Sequence, residues 1–315
     1  MLLGMRNCLI AATLYLAAGL FLVQPCIAQQ QQEWGKLLEA KKPDAARALC
    51  LGWTKSKSLA TRVEAEKCLA NVELYEGQSL SLMGNDTGGG TLGEGYKPEA
   101  VDKALVHLNK GIALAPQDLS IHQGRLHVLE VAGRFDEMAK ALDESVSIYQ
   151  GPNALQSWMA YDFELGDAGQ AKAGLQIAEV LNRHYPNNHE IIGNIGAFHD
   201  MLKQWDQGLP YLKQAVLLSP NDPLDNWNLG WAYAHLEQSE EADKWMSKAI
   251  QLDPTEKQTP GCKCLYADFV DKQLHDALRA CTLEKASCEA DHQTACAKPE
   301  SSQKATDSKS VSAAK

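Results

Sequence analysis

The sequence predicts an all-α protein built from stacked antiparallel helix hairpins, and two observations carry this prediction. Alanine and leucine together outnumber valine and isoleucine by more than three to one, which favours helices over strands. Three prolines, Pro186, Pro220 and Pro254, stand 34 residues apart, and a period of this length is typical of a repeated two-helix unit.

The composition narrows the class of protein. Of the 315 residues, 45% are hydrophobic and 22% are charged, so most of the chain can bury a core. The formal net charge is −10 and no dense run of lysine and arginine occurs, which argues against a nucleic-acid partner.

The first 28 residues have the pattern of an export signal. Arg6 precedes an uncharged apolar stretch over 8–23, and Pro25 and Ala28 mark a cleavage site. Cleavage after Ala28 would give an exported chain, periplasmic or secreted and most simply in a bacterial envelope, with no membrane span. An uncleaved anchor is the alternative, although about 16 apolar residues are short for crossing a bilayer.

Residues 29–56 are predicted to form an N-terminal helix hairpin that is interrupted at Pro43. The repeat array is expected over 57–256. An insertion over 84–97 interrupts this array, because six glycines fall between Gly84 and Gly95, a composition typical of flexible linkers.

The most regular repeat begins at Pro223, and the one before it begins at His189. Small residues are needed where two helices of a hairpin approach closely, and large residues fill the space between hairpins. The first of these repeats supplies Leu229, Gly230, Tyr233, Ala242, Met246, Ala249 and Pro254. The second supplies Ile192, Ile195, Gly196, Gly208, Leu212, Ala215 and Pro220.

This pattern resembles the tetratricopeptide repeat family. The resemblance extends over about 59–256, with weaker units from about Asn153, from Leu119 and before Pro116. His199 and Gly208 depart from it, because the family uses a tyrosine and an alanine there. The resemblance implies a right-handed α-solenoid, in which each hairpin buries its apolar face against its neighbours.

The end of the chain departs from the repeat. Residues 257–297 are expected to form a cap and a cysteine-rich segment, with one amphipathic helix over 263–285. Its candidate buried residues are Leu265, Phe269, Leu274 and Leu278. Residues 298–315 are rich in serine, alanine and lysine, and are expected to be a disordered tail.

The resemblance also implies where a partner would bind. In the family, the first helix of each hairpin lines a groove that takes a protein or peptide. The matching positions are Gln123, His127, Glu130, Gln156, Ala160, Phe163, Asn194, Ala197, Asp200, Trp227, Asn228, Trp231 and His235. Asn194 and Asn228 stand where the family often places an amide against the partner's backbone.

Trp227 and Trp231 lie four residues apart, on one face of a helix. One hypothesis makes them aromatic anchors for a ligand, since tryptophan is enriched in binding hot spots. The alternative is that both pack against the C-terminal cap. Nearby Asp200, Asp222 and Asp225 predict a neutral or basic ligand.

No pattern of catalytic residues occurs, and we expect a non-catalytic scaffold without a cofactor. The chain has no nucleophile elbow, no zinc-protease helix and no phosphate-binding loop. His184 and His189 could bind a metal, but Pro186 separates them, and solvated turn histidines are the better interpretation. No metal site is therefore predicted.

Disulfides are expected because an exported chain lies in an oxidising compartment. The cysteines left after cleavage are Cys50, Cys68, Cys262, Cys264, Cys281, Cys288 and Cys296. Cys281 and Cys288 would be about 10 Å apart on one helix, too far to bond. A bridge should therefore join separate segments, such as Cys262 or Cys264 to Cys288 or Cys296. The alternative function is an envelope protein that handles thiols or metals through this cysteine-rich end.

Overall fold

The computed structural model describes residues 33–78, 95–259 and 261–288. Within these ranges every regular element is a helix, apart from one isolated bridge between Gln78 and Tyr96. The proposed export signal and the tail lie outside the described residues, as do Cys296 and most of the glycine-rich insertion. The predicted fold class, an α-solenoid of antiparallel hairpins, is confirmed; its right-handed sense stays a prediction.

The helices follow one another with short connections. In chain order they are α1 over 33–39, α2 Pro43–Trp53, α3 Leu59–Gly77, α4 Pro98–Leu114, α5 Leu119–Val131, α6 Phe135–Ile148, α7 Ala154–Asp167, α8 Ala171–His184, α9 His189–Met201, α10 Trp205–Leu218, α11 Pro223–His235, α12 Ser239–Leu252, α13 Cys262–Lys272 and α14 Ala277–Ser287. Two compact units result, divided between Tyr161 and Asp162 within α7. We call them the N-terminal and C-terminal units.

The hairpin α11–α12 confirms the predicted packing of the most regular repeat. Leu229, Ala242, Met246 and Ala249 are all buried. A Cβ atom at Gly230 would lie 2.8 Å from the backbone nitrogen of Met246, so only glycine permits this approach of the two helices. Asn226, where the repeat usually has a large residue, is buried and donates to the carbonyl oxygen of Pro220 at 3.1 Å.

The hairpin α9–α10 uses glycine in both helices at their closest approach. A Cβ atom at Gly208 would lie 2.8 Å from the carbonyl oxygen of Gly196. Gly208 in place of the family's alanine therefore brings α10 closer to α9. His199, which replaces the usual tyrosine, is buried and pairs through Nδ1 with Gln204 Oε1 at 2.8 Å.

The turn inside each hairpin of the C-terminal unit repeats with the same backbone geometry. Gly169, Lys203 and Glu237 are spaced by 34 residues, and all have positive φ angles, of 74°, 60° and 59°. Gly133 has the corresponding conformation in the N-terminal unit. A left-handed residue ends the first helix and starts the second, and the strain at lysine and glutamate is offset by the packing of the hairpin.

The N-terminal unit combines a disulfide with helix packing. Cys50 on α2 is bonded to Cys68 on α3, with a Cα–Cα distance of 6.1 Å, and both cysteines are fully buried. Further along the unit, Trp158 on α7 is fully buried and meets the Tyr149 ring edge-on, with centroids 6.1 Å apart.

The cap corrects the prediction of one helix over 263–285. Two helices, α13 and α14, form instead, because the chain turns at His275, whose φ is 57°. The Asp276 carboxylate then accepts the backbone N–H of Arg279 at 3.0 Å and starts α14. Leu278, predicted to be buried, faces solvent with 68% of its surface exposed.

The two cap helices cover the apolar face of the last repeat. Phe269 and Ala280 are buried with Tyr233 and Met246 in one hydrophobic cluster, and Leu265 and Leu274 pack at its edge. The Arg279 guanidinium donates to Asp243 Oδ1 at 2.8 Å, which ties α14 to α12. The disulfide Cys264–Cys288 closes the two cap helices on each other.

Candidate functional site

The first helices of successive hairpins carry a group of neighbouring polar side chains in the C-terminal unit. We call it the acidic group and define it as Asp162, His189, Glu190, Asp222 and Asp225. Its members belong to α7, α9 and α11 and the turn before α11. They come together because the 34-residue repeat brings each first helix beside the next.

The centre of the acidic group is an imidazole held against a buried carboxylate. His189 Nδ1 lies 2.8 Å from Asp225 Oδ2, which links the beginning of α9 to the beginning of α11. Asp222 is the N-cap of α11, and its Oδ1 accepts the backbone N–H of Asp225 at 2.9 Å. Burial raises the pKa of Asp225, and the neighbouring charges of Asp222 and Glu190 raise it further.

Asp162 extends the group onto α7. Its Oδ2 accepts a hydrogen bond from Asn194 Nδ2 at 3.0 Å, while its Oδ1 is buried and has no hydrogen-bond partner. Burial raises the pKa of Asp162 to about 7, and the charge of Glu190 acts in the same direction. The family pattern predicts that the Asn194 amide binds the backbone of a partner, but in the structure it already donates to a carboxylate of the protein itself.

An aromatic cluster follows along α11. The Trp231 and Trp227 rings have centroids 6.0 Å apart, and the His235 ring stacks on Trp205 at 4.0 Å. Trp231 is half-buried, and its indole Nε1 has no hydrogen-bond partner. His235 is exposed at the end of the cluster, although burial of its ring lowers its pKa.

Four predicted binding residues are buried instead: Trp227, Asp200, Ala197 and Glu130. Trp227 is only 3% exposed and lies in the hydrophobic cluster that also contains the cap residues. The alternative interpretation, packing against the cap, is therefore correct for Trp227. Asp200 is also buried, because its carboxylate lies close to Gly208, inside the hairpin. Burial raises the pKa of Asp200 to about 8.

The other predicted binding residues vary in accessibility. Asn228 and Phe163 are half-buried, and Gln156 is exposed. The structure brings Asn194, Trp231 and His235 onto adjacent first helices, α9 and α11.

In the N-terminal unit the corresponding residues on α5 make contacts of their own. The backbone carbonyl of Gln123 accepts the Tyr161 hydroxyl at 3.1 Å. His127 is exposed and lies 3.5 Å from the carboxylate of Glu130, which is itself buried.

A buried serine–histidine pair also occurs in the N-terminal unit. Ser145 Oγ lies 3.0 Å from His122 Nδ1, but His122 Nε2 pairs with the carbonyl oxygen of Pro116, and the Arg125 guanidinium donates to the same serine. Both Ser145 and His122 are fully buried. The pair therefore joins α5 to α6 and offers no surface to a substrate.

The cysteines of the described part of the chain are all disulfide-bonded. Cys50 pairs with Cys68 and Cys264 with Cys288; Cys262 and Cys281 are also in disulfides. The Cys264–Cys288 bond agrees with the prediction that a bridge joins separate segments, Cys264 or Cys262 on one side and Cys288 or Cys296 on the other. Cysteines that are bonded in disulfides do not provide the thiolates that zinc binding requires.

A protein-family model matches the most regular repeat of the chain. Residues 226–256 match the model of the tetratricopeptide repeat. This match covers most of the hairpin α11–α12 and agrees with the resemblance of the repeat pattern to the tetratricopeptide repeat. No curated protein sequence matches the chain. No helix in the described ranges is long and apolar enough to cross a membrane.

Solved structures of repeat proteins align with part of the chain. MamA from Desulfovibrio magneticus RS-1 is 18% identical, with a TM-score of 0.35, over 50% of this chain and 88% of that chain. YrrB, described as a TPR protein with an unusual peptide-binding site, is 19% identical, with a TM-score of 0.36, over 54% of this chain and 84% of that chain.

Proposed function

We propose that this protein is a non-catalytic, exported scaffold that binds a protein or peptide through the first helices of its C-terminal unit. The acidic group is the observation that carries the proposal. It places several carboxylates together on successive first helices, and the ion pair made by the buried Asp225 is with a histidine, not with a lysine or arginine. Glu190 is exposed and Asp222 is half-buried, whereas Asp162 and Asp225 are buried. The two accessible carboxylates favour a partner that supplies positive charge.

The aromatic cluster adds an apolar contact beside the acidic group. Trp231 offers a half-buried ring, and His235 offers an exposed ring on the same helix. A peptide with a basic residue and an apolar residue next to it would match the acidic group and the aromatic cluster. Glu190 and Asp222 would face the basic residue.

Binding to an array of ten-residue peptides, one set rich in lysine and one rich in glutamate, tests the proposed ligand chemistry. We expect the lysine-rich set to bind and the glutamate-rich set to fail. Trp231→Ala should weaken binding of a selected peptide by about 2 kcal/mol, as for other hot-spot tryptophans.

Trp227→Ala is the matched control, because Trp227 lies in the core. It should lower the free energy of unfolding by about 3 kcal/mol and leave the affinity of the folded fraction unchanged. If Trp231→Ala also left the affinity unchanged, the aromatic cluster would not be part of the binding surface, and Asn194 and Glu190 would be the next residues to test.

Export is the second part of the proposal. The signal pattern at the N-terminus and the disulfides at both ends of the described chain support it. N-terminal sequencing of the protein from an envelope extract should begin at Gln29. Recovery of residues 1–28 in a membrane fraction would support the retained anchor instead.

A thiol-handling function predicts a different result. Titration of the exported protein with a thiol reagent should detect few or no free thiols if the cysteines are structural. Several reactive thiols in the native protein would favour the cysteine-rich end as the working part of the molecule.

A further inference from the structure

The centre of the acidic group has the composition of a metal site. His189, Asp222 and Asp225 each offer one ligand atom, and these atoms all lie within 4.8 Å of one another. A Zn²⁺ ion holds nitrogen and oxygen ligands at about 2.1 Å, so two tetrahedral ligands lie about 3.4 Å apart. A small movement of side chains would bring these three to that spacing.

The backbone makes room for the buried ligand. A Cβ atom at Gly193 would lie 2.5 Å from Asp225 Oδ1, so the carboxylate occupies space that only a glycine on α9 leaves open. His189 enters from the same helix, four residues earlier. The site is therefore formed by two neighbouring hairpins, and the glycine and the histidine of α9 both face the carboxylate of α11.

The charge around Asp225 also favours a cation. Asp222 caps α11 through Oδ1, which leaves its second oxygen to an ion. The ion pair that Asp225 makes is with His189, and Glu190 adds a further negative charge nearby. One neutral imidazole and two carboxylates would together balance the charge of a divalent ion. The histidine alone does not balance both carboxylates.

We propose that His189, Asp222 and Asp225 bind a divalent transition-metal ion of the zinc class. The mixed nitrogen and oxygen ligands favour such an ion over Mg²⁺ or Ca²⁺, which prefer oxygen ligands alone. Three protein ligands leave one coordination position open, to water or to a group of a bound partner. Spacing along the sequence could not show this site, because its ligands come from two repeats.

Titration of the full oxidised chain with Zn²⁺ alone, followed by calorimetry, tests the site without any peptide partner. We expect one Zn²⁺ per chain at this site. His189→Ala and Asp225→Asn should each weaken binding at least tenfold. His184→Ala is the matched control, because it removes a nearby histidine outside the site, and its affinity should stay within twofold of the wild type.

Two further measurements separate loss of the site from loss of the fold. Zn²⁺ should raise the melting temperature of the wild type and of His184→Ala but not of His189→Ala; His189→Gln replaces the latter if it does not fold. The Co²⁺-loaded chain should show visible d–d bands without the near-ultraviolet thiolate absorption of cysteine ligands. Equal Zn²⁺ affinity in wild type and both ligand variants, a thiolate spectrum, or no binding in millimolar Zn²⁺ would overturn the proposal.

Discussion

The two units treat their buried carboxylates differently. In the N-terminal unit Glu73 pairs with Arg47, Glu64 with Lys67, and Glu66 with His107. In the C-terminal unit Asp162 has a neutral amide as its partner, and Asp200 has a buried oxygen without a hydrogen bond. The N-terminal unit thus uses its charges to join helices, whereas the C-terminal unit buries Asp162 and Asp200 without a cationic partner in the described part of the chain.

This difference shows which unit is the better candidate for binding. Buried carboxylates that lack a compensating charge cost stability, because burial penalises the ionised form. The C-terminal unit carries this cost on α7, α9 and α11. A cation bound at Asp222 and Asp225 would recover part of this free energy on α11, whereas Asp162 and Asp200 lie in the interior.

We expect the largest effect from the buried carboxylate of Asp200 in the C-terminal unit, which should make stability depend on pH. The folded-state pKa of Asp200 is about 8, while its unfolded value is about 4. The folded state therefore holds the proton, and the free energy of unfolding falls as the pH rises from about 4 to about 8. Asp200→Asn, which cannot ionise, should reduce this fall between pH 5 and pH 8 by about 3 kcal/mol.

Urea denaturation of both proteins at the two pH values measures the effect of Asp200→Asn. Asp206→Asn, on the exposed part of α10, serves as its control and should leave the pH dependence unchanged. An identical pH dependence in wild type and Asp200→Asn would show that Asp200 is ionised in the folded state at neutral pH.

Arg125 in the N-terminal unit is a buried charge that does have hydrogen-bond partners, in contrast to Asp200. Its guanidinium donates to the carbonyl oxygen of Ala141 at 2.8 Å and to Ser145 Oγ at 3.0 Å, inside the hairpin α5–α6. Arg125→Ala should lower the free energy of unfolding by about 2 kcal/mol, because buried acceptors lose their donor.

Arg134→Ala removes an arginine from two surface ion pairs, with Asp102 and Glu137, and should cost less than about 1 kcal/mol. Equal losses for Arg125→Ala and Arg134→Ala in denaturant titrations would contradict this expectation.

The affinity for a lysine-rich peptide should depend on exposed charge in the C-terminal unit. Glu190→Gln removes one carboxylate of the acidic group and should weaken binding about threefold at low salt, with a smaller effect at high salt. Glu240→Gln removes an exposed carboxylate from α12, a second helix, and should leave the affinity unchanged. Fluorescence titration distinguishes the two, and equal effects would mean that only the net charge matters.

We expect the smallest difference in stability between the two units from substitutions in the turn inside each hairpin. Gly133 in the N-terminal unit and Glu237 in the C-terminal unit both have left-handed backbones. Glu237→Gly should raise the free energy of unfolding by about 0.5 kcal/mol, because glycine adopts this conformation without strain. Gly133→Lys should lower it by about 1 kcal/mol. Thermal melts of both variants would refute this reasoning if the two changes had the same sign.

Much of the fold follows from the sequence because the repeat is regular. Glycine or alanine at the close approaches, and leucine or methionine between hairpins, specify the packing of α9 to α12 residue by residue. The division of the cap into α13 and α14 could not be predicted in this way. Nothing in the apolar pattern shows that His275 takes a left-handed backbone or that Leu278 lies outside.

The candidate site could be predicted only in part. The family pattern nominates Asn194, Trp231 and His235, which lie on adjacent first helices of the structure. It does not nominate Asp162 or the pair of His189 and Asp225, because these contacts join different hairpins. Burial removes Trp227 and Asp200 from the surface, and burial depends on neighbouring helices that the local sequence does not specify.

Site-specific crosslinking tests most directly whether the first helices of the C-terminal unit bind a partner. A photoreactive amino acid would replace Asn228 or His235 on α11, and Lys213 or Lys248 on α10 and α12 as second-helix controls. We expect a partner to be captured in the native envelope from Asn228 and His235 alone, and we expect a lysine-rich peptide, but not a glutamate-rich one, to compete. Equal capture from the second-helix positions, or capture that the lysine-rich peptide does not reduce, would contradict it.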